Sequence, residues 1–169
     1  MFKKGETTNV IQQARIRKTK MFFENRDGFM AQLESDIRLG IKQAEKKGMI
    51  PCFRLNGTSD LAWEKYGIIE KFPNVQFYDY TKVNNRKVSH LKNYHLTFSK
   101  ADGNDMDARL AASNGMNVAV VFKNVPDNYM GRTVINGDET DLRFLDPKSV
   151  VVGLKAKGKA KKDTTGFVV

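Results

Sequence analysis

The sequence predicts an α/β fold with a mostly parallel sheet. After residue 48, short continuous apolar runs recur, and each run is followed by polar residues and then by a turn or a helical pattern. Continuous apolar runs are typical of parallel strands that are covered on both faces. Right-handed crossovers place the connecting helices on one side of the sheet, which then curls toward a barrel. We therefore expect about five to seven strands in an open or incomplete (β/α) barrel, preceded by a long N-terminal helical segment.

The segment from residue 8 to residue 47 is predicted to be helical. Apolar residues recur every four positions on one face of its second half: Phe29, Leu33, Ile37 and Ile41. This spacing indicates an amphipathic helix. Asp27 is the expected N-cap, and Gly48 follows the closing lysines.

Five apolar runs are predicted to be strands: 49–55, 75–80, 94–99, 117–122 and 149–154. A helix is expected between the first two runs, with Ser59 or Asp60 as its N-cap. Another is expected between the third and fourth runs, capped by Asn104 or Asp105 and closed by Gly115.

Residues 1–169 are expected to form a single domain, because a chain of this length can build one core but hardly two. The single cysteine, Cys52, excludes an intramolecular disulfide and lies in an apolar run. No second Cys or His stands at metal-ligand spacing, so we expect no metal site and no cofactor. No apolar run approaches the roughly 18 residues of a membrane span, so we expect a cytoplasmic protein without a membrane partner. The oligomeric state is not predicted.

The charge is unevenly distributed. There are 29 Lys and Arg against 19 Asp and Glu, a formal net charge of +10. Residues 1–50 hold 11 basic and 6 acidic side chains, residues 51–149 hold 13 and 12, and residues 150–169 hold 5 and 1. Such a surplus at the two ends favours polyanionic partners, namely nucleic acid or a phosphorylated small molecule; the alternative is that the charge only serves solubility.

Polar side chains gather where the predicted strands end. The first strand leads into Arg54, Asn56, Ser59 and Asp60; the second supplies Tyr78, Asp79, Tyr80, Lys82 and Arg86; the third supplies His95, Ser99 and Lys100. Ligands of parallel α/β sheets bind at the carboxyl ends of the strands, so these residues predict a polar site there.

Three of these residues are candidate catalytic groups: Asp60, Asp79 and His95. The others are candidate anion ligands, and the two tyrosines are candidate platforms for stacked bases. The alternatives are a helix cap for Asp60, a hydrogen-bonded core histidine for His95 and ordinary packing for the tyrosines.

Two basic clusters lie outside these strand ends. The lysine-rich loop, residues 155–163, contains Lys155, Lys157, Lys159, Lys161 and Lys162. If extended, it would place up to four ammonium groups on one side, which suits a row of phosphates. The apolar residues after it suggest that the loop is held at both ends; the alternative is a solvated tail. The second cluster is on the first helix and contains Arg15, Arg17, Lys18 and Lys20.

Acidic residues concentrate in one further segment: Asp138, Glu139, Asp141 and Asp146. Asn136 and Gly137 predict a hairpin loop at its start. The functional hypothesis is a divalent-cation site or a carboxylate base, and the alternative is a solvated turn paired with Arg132 and Arg143. The spacing matches no EF-hand loop, which favours the turn.

The stretches "RLNGTSD", "FYDYTK" and "GLKAKGKAKKD" resemble the gene product 88 family of phage and plasmid proteins, and the resemblance extends over nearly the whole chain. Longer members carry a cysteine-containing segment ahead of "ARIRKTK", like the metal-cluster segments of radical-type barrels. This sequence begins at "MFKKGETT" and keeps only Cys52. The resemblance therefore implies an N-terminally shortened member without cluster chemistry, from a phage-infected or plasmid-bearing bacterium.

Three functions fit these observations. The first is an accessory protein that binds nucleic acid or a phosphorylated ligand through the basic strand ends. The second is an enzyme acting on a nucleotide or another phosphate-bearing substrate, with Asp79 or Asp60 as base and Arg54 or Lys82 as anion clamp. The third is a counter-defence inhibitor, like an anti-CRISPR protein, that binds a host defence complex.

Overall fold

The structure is a computed structural model that describes residues 4–169, with side chains described from residue 10 onward. The chain divides into two compact units, Met1–Pro51 and Cys52–Val169, and each is described by itself. That residues 1–169 form a single domain stays a prediction. None of the described helices combines the length and apolarity that a membrane span needs.

The first unit consists of two consecutive helices, α1 (Lys4–Glu24) and α2 (Arg26–Lys46), as the sequence predicts. The N-cap of α2 is Asn25, whose side-chain oxygen accepts a hydrogen bond from Gly28 N at 3.0 Å. Asp27, the expected cap, lies instead in the first turn, where its carboxylate complements the helix dipole.

Gly48 ends α2 in the expected way. Its φ of +63° allows Met49 N to donate to Ala44 O at 2.9 Å and Gly48 N to donate to Glu45 O at 3.0 Å. These two bonds are those of a Schellman motif, which satisfies the last carbonyls of the helix.

The second unit is built on a seven-stranded open sheet. Its strands are β1 (Cys52–Phe53), β2 (Gln76–Thr81), β3 (Tyr94–Ser99), β4 (Asn117–Phe122), β5 (Asn128–Tyr129), β6 (Arg132–Asn136) and β7 (Val151–Lys155). The spatial order is β1-β2-β3-β4-β7-β6-β5, and every pair is parallel except β5 with β6. The predicted α/β class with a mostly parallel, open sheet is therefore confirmed.

One helix of the second unit, α3 (Asp105–Ser113), covers the central strands. Its buried alanines belong to the same hydrophobic cluster as Phe98, Val118 and Val120. Small side chains on this face of α3 allow it to lie close to the sheet. At the helix end, Arg132 donates to Ala112 O and to Met116 O, the latter at 2.8 Å, so this arginine caps α3 rather than pairing with the acidic segment.

Two predicted elements differ from those observed. The segment between β1 and β2 contains only a short 3-10 turn, Trp63–Lys65, in place of the expected helix. Gly67 follows at a φ of +67°, outside the helical region, and this breaks the helical pattern. The first strand is also shorter than expected, because Pro51 lacks an N–H and the chain turns inward at Asn56.

The predicted hairpin is at a different place. Met130 and Gly131 have φ values of +54° and +70°, and they join the antiparallel strands β5 and β6. Positive φ at both central residues is typical of a type I′ hairpin turn. Asn136 and Gly137, where the hairpin was expected, lie instead at the end of β6 and the start of its crossover to β7, and these two strands are parallel.

Gly115→Ala should destabilise the protein, since Gly115 closes α3 with a φ of +89° while a Cβ there would meet nothing within 4 Å. The cost is therefore that of the left-handed backbone alone, roughly 1–2 kcal/mol in the free energy of unfolding. Gly57→Ala is the matched control, because a Cβ at Gly57 also meets nothing and its φ is not positive. Urea unfolding should separate the two variants, and equal stabilities would contradict this account of the helix end.

Candidate functional site

A buried hydrogen-bond network surrounds Asp79, which lies within β2 and is fully buried. Its carboxylate accepts hydrogen bonds from Asn56 N at 2.6 Å, from Asn56 Nδ2 at 3.3 Å and from the Tyr94 hydroxyl at 2.9 Å. Burial raises the pKa of Asp79 to about 6, and these donors only partly oppose that effect. Asp79 therefore ties the loop after β1 to the two neighbouring strands.

Asn56 organises the loop that carries the predicted polar cluster. Its side-chain oxygen accepts from Ser59 Oγ at 2.8 Å and from Leu61 N at 2.9 Å, and its Nδ2 donates to Leu61 O at 3.0 Å. Asn56 is buried, so these bonds satisfy polar groups that would otherwise lack a hydrogen-bond partner. Asn56 and Ser59 thus shape the loop.

Asp60 and Arg86 extend the network to the end of β2. Asp60 accepts from Lys82 N at 2.7 Å, from the Thr81 hydroxyl at 3.0 Å and from Arg86 Nη1 at 3.2 Å. The Arg86 side chain is almost fully buried; it donates to Glu64 through Nε and Nη2 and also to the Tyr94 hydroxyl. Asp60 is therefore not a helix cap, and the charge of Arg86 is neutralised within the protein.

Alternation along β2 places Tyr78 and Tyr80 on the opposite face of the sheet from Asp79. Tyr80 donates to Asp141 Oδ1 at 2.9 Å, while Arg54 donates to Asp141 Oδ2 at 3.2 Å and stacks over the Tyr80 ring. Tyr78 is buried, and its ring packs against another aromatic ring, that of Phe144. A base that stacks on Tyr80 would have to displace Arg54.

His95 lies on the same face as these tyrosines. Its Nε2 is 3.3 Å from the Thr97 hydroxyl, and burial together with the positive charge of Arg143 lowers the pKa of the imidazole. Arg143 is itself fully buried, with Nη2 bonded to Thr140 O and Nε 3.4 Å from Asp146 Oδ2. His95 is therefore held neutral at pH 7, in a half-buried position. Ser99 accepts a hydrogen bond at its carbonyl from Asn104 Nδ2 at 3.1 Å.

Basic residues stand at the ends of five neighbouring parallel strands. They are Arg54 after β1, Lys82 after β2, Lys100 after β3, Lys123 after β4 and Lys155 at the end of β7. Because parallel strands lie about 4.8 Å apart, this row spans roughly 20 Å along the sheet edge. We call it the basic edge. Lys123 was not among the sequence-based candidates, although it directly follows an apolar run as the others do.

Members of the basic edge differ in their availability to a ligand. Lys100 is 3% exposed and bonds to Gly166 O at 3.0 Å and to Asp105 at 3.3 Å. Arg54 pairs with Asp141. Lys82, Lys123 and Lys155 are exposed, and within the described part of the chain none of them forms an ion pair. These three lysines are therefore the ones open to an anion.

The lysine-rich loop continues the basic edge, but it is not extended. Residues Gly158–Lys162 form a 3-10 turn, so the expected row of lysines on one side of an extended backbone is wrong. The loop is held at both ends, as predicted: Ala156 N donates to Phe122 O at 2.9 Å, and the last residues pair with β4 through Val169 N and Val121 O. Lys159 and Lys162 are exposed on this turn.

Lys123, Lys155 and Lys161 line one cavity of about 310 Å³ at this edge. Asp163 also lines it, but its carboxylate accepts bonds from Val168 N at 3.1 Å and from the Thr165 hydroxyl at 2.9 Å. These hydrogen bonds lower the pKa of Asp163 and satisfy its carboxylate within the protein. The cavity keeps a net positive lining.

The acidic segment pairs with the basic edge. Asp138 accepts from Lys157 Nζ at 2.8 Å and from Lys155 N at 3.1 Å, which lowers the pKa of its carboxyl group. Glu139 accepts from Asn136 Nδ2 at 3.0 Å. Within the residues that the structure describes, no group of three or more His, Cys, Asp or Glu side chains is placed to hold a metal ion.

The second predicted basic cluster is in the first unit. Arg15, Arg17, Lys18 and Lys20 are exposed on α1. Arg15 and Lys20 line a cavity of about 310 Å³ together with Ile16 and other residues of the same helix. Their role in binding stays a prediction.

Asp79→Asn should remove a pH dependence of stability. The folded-state pKa of about 6 exceeds the ordinary value of 3.8, so Asp79 favours the folded state at low pH and loses that contribution as the pH rises through 6. Relative to the Asn variant, the wild type should be more stable at pH 4 than at pH 7 by roughly 2–3 kcal/mol. Urea unfolding across this range measures the difference.

Tyr94→Phe provides a second arm for this measurement. Its hydroxyl donates to Asp79 and lowers the pKa of that carboxyl group, so removing it should enlarge the pH dependence. A pH-independent difference between wild type and Asp79→Asn would show that Asp79 has no raised pKa.

Comparisons with known proteins assign the family. No curated protein and no solved structure matches the chain. The gene product 88 family matches residues 2–169, which is nearly the whole sequence. The similarity seen in "RLNGTSD", "FYDYTK" and "GLKAKGKAKKD" is thereby confirmed, and the chain belongs to the gene product 88 family.

Proposed function

We propose that this protein binds nucleic acid along the basic edge of its sheet. The observation that carries the proposal is the row of basic residues at five neighbouring strand ends, of which Lys82, Lys123 and Lys155 have no acidic partner in the described part of the chain. The lysines of the 155–163 loop extend the same edge.

The length of the basic edge favours a polymer over a single compact anion. A row of roughly 20 Å faces several successive phosphates, since each nucleic-acid strand carries one charge per about 3.4 Å of a B-form helix. Lysine ammonium groups on this row would release counterions on binding, which gives affinity without sequence selectivity. We therefore expect strong salt dependence and little preference among sequences.

The acidic segment sets the strength of this binding. Asp138 already occupies Lys157, and Asp141 occupies Arg54, so a phosphate must compete with both carboxylates. Because of this competition, a weakly charged anion should bind to the basic edge less well than a polymer with many phosphates. The second unit holds 18 basic and 13 acidic residues. Pairing with these two carboxylates lowers the repulsion among the basic residues at the strand ends.

The other two functions have less support. The candidate catalytic carboxylates, Asp60 and Asp79, already accept hydrogen bonds from protein donors, and Asp79 is fully buried. These bonds account for both residues without a reaction. The counter-defence hypothesis gains no specific support from the described residues and stays a prediction.

The double variant Lys123→Ala/Lys155→Ala should weaken nucleic-acid binding by about tenfold or more at roughly 100 mM salt, and it should lower the slope of log K against log salt by about 2. Fluorescence anisotropy with a labelled oligonucleotide measures both quantities. Lys65→Ala/Lys92→Ala is the matched control, because it removes the same charge from exposed lysines that do not stand at the end of a strand. An equal loss in the control would show that only the net charge matters.

Asp138→Asn should strengthen binding by about two- to fivefold, because it frees Lys157 from an exposed ion pair. Glu139→Gln removes the same charge from the adjacent residue, whose carboxylate accepts from the neutral amide of Asn136. The Glu139 variant should therefore show a smaller gain in the same anisotropy assay. If the two variants gain equally, the specific pairing of Asp138 with Lys157 has no effect on binding.

A further inference from the structure

Another cavity, distinct from the basic edge, lies at the opposite end of the strands. It has a volume of about 750 Å³, within the range of small-molecule sites. The starts of β3 and β4 line it, together with residues 84–89, Leu91 and the end of α3. The crossover between β2 and β3 contains no helix, so its backbone forms one wall of this cavity.

The lining is positively charged. Among the described residues that line the cavity, Arg86, Lys87 and Lys148 are basic, and none is Asp or Glu. Arg86 is already paired with Glu64 and Asp60, so Lys87 and Lys148 supply the positive charge. Residues 51–149 as a whole hold 13 basic and 12 acidic side chains, so this segregation is not a consequence of overall composition. Lys87 and Lys148 are exposed and form no ion pair within the described chain. Such a lining favours an anionic ligand.

Three asparagines hold the walls in place. Asn84 Nδ2 donates to Asp107 Oδ1 at 2.5 Å, and Asn114 Nδ2 donates to Asn84 O at 3.4 Å, which ties the crossover to the end of α3. Asn117 Nδ2 donates to Pro147 O at 2.8 Å, and its Oδ1 accepts from Val150 N at 3.1 Å. The segment that carries Lys148 is therefore fixed on both sides of that lysine.

The backbone beside Lys148 is also strained. Ser149 has a φ of +61°, a conformation that costs a non-glycine residue of order 1 kcal/mol and that clusters at ligand sites. The bonds of Asn117 on either side maintain this conformation. The backbone at Lys148 is thus fixed before a ligand binds, which lowers the conformational entropy that binding costs.

The rest of the lining suits an organic group. The buried residues Leu91, Tyr94 and Leu96 contribute apolar lining, while Asn85 and Ser89 supply an amide and a hydroxyl. A planar ring with hydrogen-bonding edges suits a lining of this composition. We propose that this cavity binds a mononucleotide, with the phosphate at Lys87 and Lys148 and the base over Leu91 and Leu96. This site is separate from the nucleic-acid edge and does not depend on it.

Isothermal titration calorimetry tests the proposal with the full chain and four ligands, AMP, GMP, CMP and UMP. At least one of them should bind with a Kd below about 1 mM, and its nucleoside and inorganic phosphate should each bind at least about tenfold more weakly. Lys87→Ala/Lys148→Ala should lose binding by about tenfold or more. Lys92→Ala, an exposed lysine of the same crossover that does not line the cavity, should bind as the wild type does.

A second variant, Ser89→Phe, adds a bulky ring to the lining while leaving both lysines in place, and it should also weaken binding. Unfolding curves for each variant establish that it is folded. The proposal is overturned if none of the four nucleotides binds with a Kd below about 1 mM, if a nucleoside or phosphate alone binds as tightly as the nucleotide, or if Lys92→Ala weakens binding as much as the double variant does.

The double variant at the basic edge, Lys123→Ala/Lys155→Ala, separates the two sites. It should bind the mononucleotide as the wild type does, while Lys87→Ala/Lys148→Ala should keep its affinity for the oligonucleotide. Loss of mononucleotide binding in the edge variant would place the ligand at the basic edge and overturn the cavity site. Failure of oligonucleotide binding alone would overturn only the function proposed for the edge.

Discussion

Parallel pairing among β1, β2, β3, β4 and β7 is the constraint on which the rest of the structure depends. Because these strands run in the same direction, the residue that follows each strand reaches the same edge, whatever the crossover contains. Basic residues that are far apart in the sequence therefore become neighbours. Their mutual repulsion is offset in part by Asp138 and Asp141, which come from the β6–β7 crossover and pair with Lys157 and Arg54. Lys82, Lys123 and Lys155 keep the charge that the fold does not neutralise.

The polar cluster after β1 serves mainly to hold that edge together. With only two residues, β1 can contribute few ladder bonds, so the loop that follows needs other attachments. Asp79 on β2 provides these attachments, because its carboxylate accepts hydrogen bonds from both the backbone and the side-chain N–H groups of Asn56. Asp60 returns from the loop to the end of β2, and Arg86 joins it to Tyr94 on β3. A buried carboxylate with several donors is costly to remove but fixes a single arrangement of three segments.

The sequence correctly predicted the elements whose formation depends on neighbouring residues in the chain. The runs Tyr94–Ser99 and Asn117–Phe122 are strands with the expected bounds, because continuous apolar residues with polar flanks leave little alternative. The helix expected after Ser59 does not form, because Gly67 adopts a positive φ and tertiary packing buries Ile68 and Ile69. The role of Asp141 was beyond local analysis, since its partner Arg54 is 87 residues away in the chain. The strand-end residues were found by pattern, but their division into paired and free groups depends on contacts between distant segments.

The two ends of the sheet thus present different chemistry, a basic edge with three exposed lysines at one and a partly open, cationic cavity at the other. We propose that the basic edge, not the net charge of the chain, attracts nucleic acid. The most direct measurement is an NMR titration of the nitrogen-15-labelled full chain with a short oligonucleotide, which maps the perturbed amides. The account predicts the largest shifts at Lys82, Lys123 and residues 155–163, on three separate segments that meet at one edge. Binding that leaves these amides unperturbed and shifts only amides elsewhere would contradict it.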